Sequence, residues 1–472
     1  MKRFSIFLFT ICIPFISIYG QDKPELRLSD NAVCSIKSAA FSPDGKRVLT
    51  LSEDSTIHLF SVTTGKESPL FKGLSKKILS AIFSPDGKMV LTINEDYSAL
   101  LYSATNGKLL YRLKHRQKSP SGRKKQGIRT AVFSPDGKRI LTINTDVTAG
   151  IFSSQSGKEL HVIERLCKDP RSVFFSPDGK FAAISGRARV TIGGLYAVST
   201  GELIRWLNGS SGWQRPGATF SPDNKVLFVQ ASSGSYLYFL SKESNDFYFS
   251  EEAKKNMDFE QKEDICLVSG SQYVFSPDGK YLVFTYPYDG RNIRIIDLPG
   301  GGIKVGNIPA ISSAKFSPDG KRILTVDYSD YQNTRIGNTA RLIDPAAGKE
   351  IHAFTGHNES ILNALFSPDG RYVLTTSLNR QSILWDAETG HRLYTRIQLK
   401  GNDYLIHDEH FRFEGTAAAM EKLSFQCGSG QIKLKDCKES LYVPGLAQMM
   451  LSGQEINCSK ISDLNFCGTG EK

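Results

Sequence analysis

No C-x-x-C pair occurs among the eight cysteines of this 472-residue chain, so a zinc centre built on paired thiolates lacks its ligands. Histidine is equally sparse as a pattern. His58, His115, His161, His352, His357, His391, His407 and His410 fall at no common spacing, so equivalent positions supply no set of metal ligands or bases. No Cys/His pair stands in a peptidase-like context, and no catalytic constellation is visible. Acidic side chains are outnumbered, 48 against 59 Lys and Arg, for a formal charge of +11. Such a surface attracts nucleic acid or an acidic envelope. The apolar run at 4–19 is too short, and broken by Pro14, to make a good membrane span.

That run has instead the form of an export leader. Lys2 and Arg3 give a basic start, the apolar core follows, and Ser17-Ile18-Tyr19-Gly20 ends on a small residue. Residues 1–20 are expected to be a cleaved signal peptide. Cys12 lacks a lipoprotein context, so no lipid anchor is expected. The mature chain would begin near Gln21 without the two cations of the leader, and would work in the periplasm or outside the cell. Export argues against a nucleic-acid partner.

What is present in abundance is one hexapeptide. FSPDGK, intact or nearly so, starts at Phe41, Phe83, Phe133, Phe175, Phe220, Phe275, Phe316 and Phe366, in steps of 42, 50, 42, 45, 55, 41 and 50 residues. Each copy has the chemistry of a tight reversal. Pro43 presets φ for the second turn position, Asp44 tolerates the third and bonds nearby backbone, and Gly45 accepts a positive φ. A β-rich run follows, as at Val48-Leu49-Thr50, Val90-Leu91-Thr92 and Ile140-Leu141-Thr142. SPDG is therefore hairpin chemistry, with no catalytic role for its Asp. Turns every eight to twelve residues predict four short strands per copy, and a period near 40–45 residues points to a propeller. Strands apolar on both faces, such as Ile140–Ile143, suit a sheet covered by a neighbour on each side.

The stretch SAAFSPDGKRVLTLSEDSTIHLFSVTTGKE resembles a bacterial WD repeat, and the resemblance extends over about residues 30–400. The last copy carries the family marks best, with Gly356-His357 and the Trp385-Asp386 dipeptide. The resemblance implies an all-β WD-repeat β-propeller over 21–400, of eight four-stranded blades or of seven plus one degenerate element. Copies four and five are the weakest. Family members link a His, a Ser/Thr, a turn Asp and the Trp. Here Phe60, Tyr102 and Phe152 stand where Trp would, and Asn379 replaces the turn Asp in the best copy. Apolar packing is thus expected to hold most blades. The lone strand at 25–29 is expected to close the ring by pairing with the last blade.

Extra length falls between strands. Residues 114–127 carry six Lys or Arg in fourteen residues and join the second blade to the third. The Tyr286-Pro287-Tyr288-Asp289 segment and residues 328–338 lie between second and third strands. In a propeller these connections share one face, opposite the SPDG turns. Loops on rigid scaffolds often bind partners, and Tyr and Arg are favoured in hot spots. Arg123, Lys124, Lys125, Tyr286, Tyr288, Tyr328 and Tyr331 are therefore the candidate partner-binding residues. The charged insertion at 241–263 has no assigned role.

From Gly401 the period stops, and 401–472 forms a tail. Its Phe413-Glu414-Gly415-Thr416 turn and the run 442–447 resemble segments that follow the propeller in caspase-associated bacterial WD-repeat proteins. With the chain ending at Lys472 no peptidase domain is expected, so the resemblance carries architecture and no catalytic residue. His407-Asp408-Glu409-His410 reads as a divergent turn, because strand neighbours alternate faces and do not converge on a metal. Cys34, Cys167 and Cys266 are expected to be small buried residues. Cys427, Cys437, Cys458 and Cys467 cluster in the tail, where an exported chain would form two disulfides. Three pairings are open, with Cys427–Cys437 and Cys458–Cys467 favoured.

These features predict a monomeric, non-enzymatic scaffold that binds a protein partner in the cell envelope or outside the cell, with no cofactor. One alternative is a regulatory or sensory subunit for a separate peptidase or secretion machine. Another is a propeller hydrolase with its site in the central channel.

Overall fold

Each FSPDG turn is held by its own side chains. The Ser42 hydroxyl donates to Asp44 Oδ1 at 2.5 Å and accepts the Arg47 amide at 2.9 Å, while the Lys46 amide donates to the same carboxylate oxygen at 3.1 Å. Gly45, at φ +69°, places its amide 2.8 Å from the Ser42 carbonyl oxygen. The same set recurs from Ser84 to Ser367. Burial alone would raise these carboxylates, but the hydroxyl and amide donors hold Asp44, Asp86 and Asp136 below the usual range.

The computed structural model describes residues 25–28, 36–68, 77–115, 127–164, 166–167, 169–186, 191–208, 218–231, 234–239, 272–285, 293–297, 303–305, 311–327, 337–378, 381–399, 403–427 and 430–456. Residues 1–20, expected to be a signal peptide, the insertion 241–263, Cys34, Cys266, Cys458, Cys467 and the seven loop candidates lie outside them. Eight antiparallel sheets carry a turn between their first and second strands. Numbering each blade by its turn, neighbours approach along their first and second strands. First strands are therefore innermost, fourth strands are outermost except in the extended last blade, and the architecture is an all-β propeller.

The turns also touch one another. Gly87 abuts Pro43, Gly137 abuts Pro85, Gly179 abuts Pro135, and the series runs on to Gly45, which meets Pro368 of the last turn. In blade five Asn224 replaces the glycine at φ +61°, and its side-chain oxygen accepts the Asp178 amide at 2.9 Å. That blade has a first strand of only three residues, Ala218–Phe220, and three described strands. Seven blades thus carry the full turn and the fifth is reduced. This favours the stated alternative, seven blades plus one degenerate element, over eight four-stranded blades. Blade one keeps a vestige of a fourth strand, in which Glu67 bridges to Phe60.

A second stitch joins the blades farther out. The turn between third and fourth strands ends in a left-handed glycine, and the next residue layer of the preceding blade lies over it. Tyr111 covers Gly157 and donates its hydroxyl to the Gln155 carbonyl at 2.5 Å. His352 covers Gly390 and bonds the Glu388 carbonyl at 2.7 Å. Arginines following the SPDG turns reach across as well. Arg47 donates to the Gly87 carbonyl at 3.0 Å, and Arg322 to that of Gly370 at 3.0 Å. These two cations are structural ties, whereas Lys46 stays exposed.

Closure brings residues some 330 positions apart together. Arg396, on the last blade's strand Arg392–Gln398, is buried. It donates to the Gly65 carbonyl at 3.1 Å and to Gln398 at 2.7 Å, pairs with Glu67 at 3.4 Å, and lies 4.1 Å from the Phe60 ring centroid. Glu67 also meets His58 Nδ1 at 2.5 Å, and Tyr394 donates to the Val62 carbonyl at 2.8 Å. The strand Glu25–Leu28 does not close the ring. It pairs with Leu423–Cys427 of the tail. The reason is steric, because Tyr404–His407 and Phe413–Gly415 already extend the last blade to six strands.

The tail packs onto that extended sheet with its own core of Phe413, Met420, Leu423, Leu434 and Leu441. Cys437 is buried there as a free thiol donating to the Lys433 carbonyl, which departs from its expected pairing with Cys427. Cys167 is buried as expected, and burial pushes its thiol up to about 11. Among the described residues no helix is long and apolar enough to cross a membrane.

Gly157→Ala should destabilise more than Gly179→Ala. Both need positive φ, about 1–2 kcal/mol for an L-residue, but only at Gly157 would the new Cβ lie 2.7 Å from a neighbour, Tyr111. Thermal melts of the two variants check this. Arg396→Met should cost about 3–5 kcal/mol, because it leaves Glu67 buried beside an apolar group. Equal denaturation midpoints for variant and parent would refute it.

Candidate functional site at the loop-bearing mouth

First strands begin alike: Ile36-Lys37-Ser38-Ala39, Ile78-Leu79-Ser80-Ala81, Ile128-Arg129-Thr130-Ala131, Pro170-Arg171-Ser172-Val173, Ile311-Ser312-Ser313-Ala314 and Ile361-Leu362-Asn363-Ala364. In all six the first residue is buried. The second is skipped by the ladder: Ile36 faces Ser52 and Ser38 faces Leu51, leaving Lys37 unpaired. The same bulge recurs in blades two, three, four, seven and eight. A bulge re-aims one side chain out of the pleat. Lys37, Leu79, Arg129, Arg171 and Leu362 are all exposed as a result. Ser312 instead turns its hydroxyl back to the Val326 carbonyl at 3.3 Å.

These side chains lie on the innermost strands, at the end away from the SPDG turns, and so ring the mouth of the channel. Asp169 joins two of them. Arg171 grips one carboxylate oxygen through Nε at 2.9 Å and Nη2 at 2.8 Å, and Arg129 reaches the other at 3.2 Å. Burial would raise Asp169, but the Arg171 and Arg129 donors hold it below the usual carboxylate range. Two guanidinium groups share one carboxylate, so the cluster stays cationic. The arc through blades eight to four reads apolar, basic, apolar, basic, basic.

The stems of the basic connection are fixed beside this arc. At one stem the His115 side chain is only 5% exposed, with Nδ1 2.6 Å from Glu159 and Nε2 3.2 Å from Asp146 and 3.1 Å from Thr148 Oγ1. At the other, the Gly127 amide donates to Thr145 Oγ1 at 3.0 Å and the Ile128 amide to the Tyr97 carbonyl at 2.7 Å. Both stems therefore rest on turns between second and third strands, which agrees with the expectation that the two kinds of connection share a face. Arg123, Lys124 and Lys125, with Tyr286, Tyr288, Tyr328 and Tyr331, lie outside the described residues.

The bulge residues were missed from sequence, although a variable position flanked by Ile or Pro before it and Ser, Thr or Asn after it was visible. A second missed signal is the Glu of Gly-Lys-Glu. Glu67 meets His58, Glu159 meets His115, and Glu350 meets Arg341 at 2.6 Å. Polar networks are thus more frequent than expected from the missing tryptophans. Where Trp is present, Trp385 Nε1 donates to Thr375 Oγ1 at 2.8 Å, and His357 bridges Thr375 and Ser377 at 2.8 Å each. Where it is absent, beside Phe60 and Tyr102, the buried Thr50 and Thr92 hydroxyls have no partner.

The tail turn offers no open ligand set. Asp408 accepts Arg412 Nε at 2.6 Å and the amides of His410 and Arg412 at 2.9 Å each. His407, pushed down to about 4 by burial, donates from Nδ1 to the Asp408 carbonyl at 2.9 Å. Among the described residues no group of three or more His, Cys, Asp or Glu is arranged to hold a metal ion.

Residues 23–61 and 348–386 match the family described as "WD domain, G-beta repeat". No curated protein matches the chain. A similar solved structure is the C-terminal WD40 domain of Sif2, with 14% identity and a TM-score of 0.54 over 76% of this chain and 97% of that one. That likeness concerns the fold, which is a WD-repeat propeller.

The His115 stem should titrate. Bonding to Glu159, aided by Asp146, raises its pKa against the opposing effect of burial. A raised folded value means stabilisation fully present below the unfolded value near 6.5 and lost as pH rises through the folded one. The stability gap between the parent and His115→Gln should therefore narrow from pH 5.5 to pH 9. Denaturant midpoints at both pH values measure it, and a gap that widens would overturn the reading.

Proposed function

We propose that this chain is a non-enzymatic scaffold that binds a protein partner carrying an acidic, partly apolar segment at the mouth of the ring. The single observation behind this is the recurrent bulge that turns Lys37, Leu79, Arg129, Arg171 and Leu362 outward at one register. Bulges interrupt a ladder and weaken it locally. Their repetition at solvent-exposed cations and leucines fits a surface used for recognition. A ring of rigid strands loses little entropy when it binds, which favours affinity per contact. WD-repeat propellers are in general interaction scaffolds, and the fold agrees with that role.

The reading extends to the eight-turn ring as one platform, to the loops that bear Arg123, Lys124, Lys125, Tyr286, Tyr288, Tyr328 and Tyr331, and to export with a periplasmic or released destination. Its narrower form, a regulatory or sensory subunit for a peptidase or secretion machine, rests on the tail resemblance. A channel hydrolase has less support, since the described bulge register supplies cations and leucines where catalysis would want repeated carboxylates or histidines.

The test is a pull-down of the tagged mature chain from envelope extract beside Lys37→Ser/Arg129→Ser/Arg171→Ser. A stoichiometric partner retained by the parent and lost by the variant is expected, with retention falling as salt is raised. Equal retention by both would remove the mouth from consideration. Sequencing the N-terminus of the exported protein checks the cut near Gln21.

A further inference from the structure

The outer wall carries a second repeated feature, independent of the mouth. Fourth strands also bulge, and the skipped residue is apolar each time. It is Leu110 in Leu109–Leu113, Leu160 in Glu159–Ile163, Ile204 in Leu203–Asn208, Ile351 in Lys349–Phe354 and Leu393 in Arg392–Gln398. In blades two, three and four, which are neighbours, this residue is 40%, 49% and 49% exposed. Val162 and Trp206, two positions on from the bulge, are exposed beside them. Large apolar side chains exposed at one register on three neighbouring blades are the kind of surface that marks an interaction site.

The last blade displays the occupant that such a wall accepts. Its bulge residue Leu393 is half-buried and packs, with Met449, Met450 and Leu451 of the helix Leu446–Ser452, against one apolar cluster. That helix packs against the strand Arg392–Gln398. It has no charged residue within it, and Glu455 follows it. The equivalent wall of blades two and three is bordered by exposed Lys108, Arg112 and Lys158. We propose that the outer wall of blades two to four docks a Leu/Met-rich helix with acidic flanks from a partner protein, in trans, as Leu446–Ser452 docks in cis on the last blade. Helix-in-groove recognition uses apolar anchors of this type, and Met adapts to an irregular surface.

The probe is a stapled, fluorescein-labelled peptide of residues 442–455, titrated against the full mature chain by anisotropy. Saturable binding is expected, weakened at least tenfold by Leu160→Ser/Ile204→Ser/Trp206→Ser and unchanged by the triple variant at the mouth. Flanking Glu pairs should tighten binding, and flanking Lys pairs should weaken it. Melting curves of the wall variant, whose changes are all at exposed positions, verify that it is folded. Absence of binding, or equal binding by parent and wall variant, overturns the proposal. Sedimentation that reveals a concentration-dependent dimer, lost in the wall variant, would give the wall to a second copy and likewise overturn it.

Discussion

A ring is only as stable as the joint between its ends, and here that joint rests on a buried guanidinium. Removing Arg396 from water costs several kcal/mol unless its donors are met. Gly65, Gln398 and Glu67 meet them, and Phe60 offers its ring face. Glu67 is in turn held by His58. The arrangement is directional, so the last blade can meet the first in one register only. Apolar packing of Tyr394, Tyr404 and Ile406 with Phe60 and Val62 supplies the bulk of the contact. The tail then covers the outside of the joint and recruits the strand Glu25–Leu28.

Between the other blades the same task is done by repetition. Among the described residues, the junctions of blades two with three, three with four and seven with eight are made at three radii. Glycine touches proline at the SPDG turns, strands pack through apolar faces in the middle, and an aromatic or imidazole side chain lies over a glycine near the outer edge. Glycine is needed at the outer contact twice over, for its positive φ and for the missing Cβ. Blade five departs from this pattern, with Asn224 substituting a side-chain hydrogen bond for the glycine contact.

Repetition also explains the two exposed surfaces. A bulge at a fixed register presents one residue per blade without disturbing the core beneath it. At the mouth that residue is Lys, Arg or Leu, or Ser in blade seven; on the outer wall it is Leu or Ile. At the mouth the presented residue varies from blade to blade while the residue before it stays buried as Ile or Pro. A propeller of this kind can thus carry separate surfaces on its axis and its rim.

The fold class, the turn chemistry, the strand pattern and the place of each blade could be read from the chain alone, because they rest on local preferences repeated many times. Pro43-Asp44-Gly45 folds as it does for reasons contained within six residues. Copies four and five were both expected to be weak, but only the fifth is reduced, because the fourth keeps its full turn and four strands. The pairing of Glu25–Leu28 with the tail, the free Cys437 and the partners of Arg396 could not be read. Each depends on which segment already occupies an edge or a cavity, and that is settled only when residues hundreds of positions apart meet. Lys37 and Arg129 show the division most clearly. Their identity is in the sequence, but their exposure follows from a skipped rung in the ladder and from the convergence of first strands at the ring's centre.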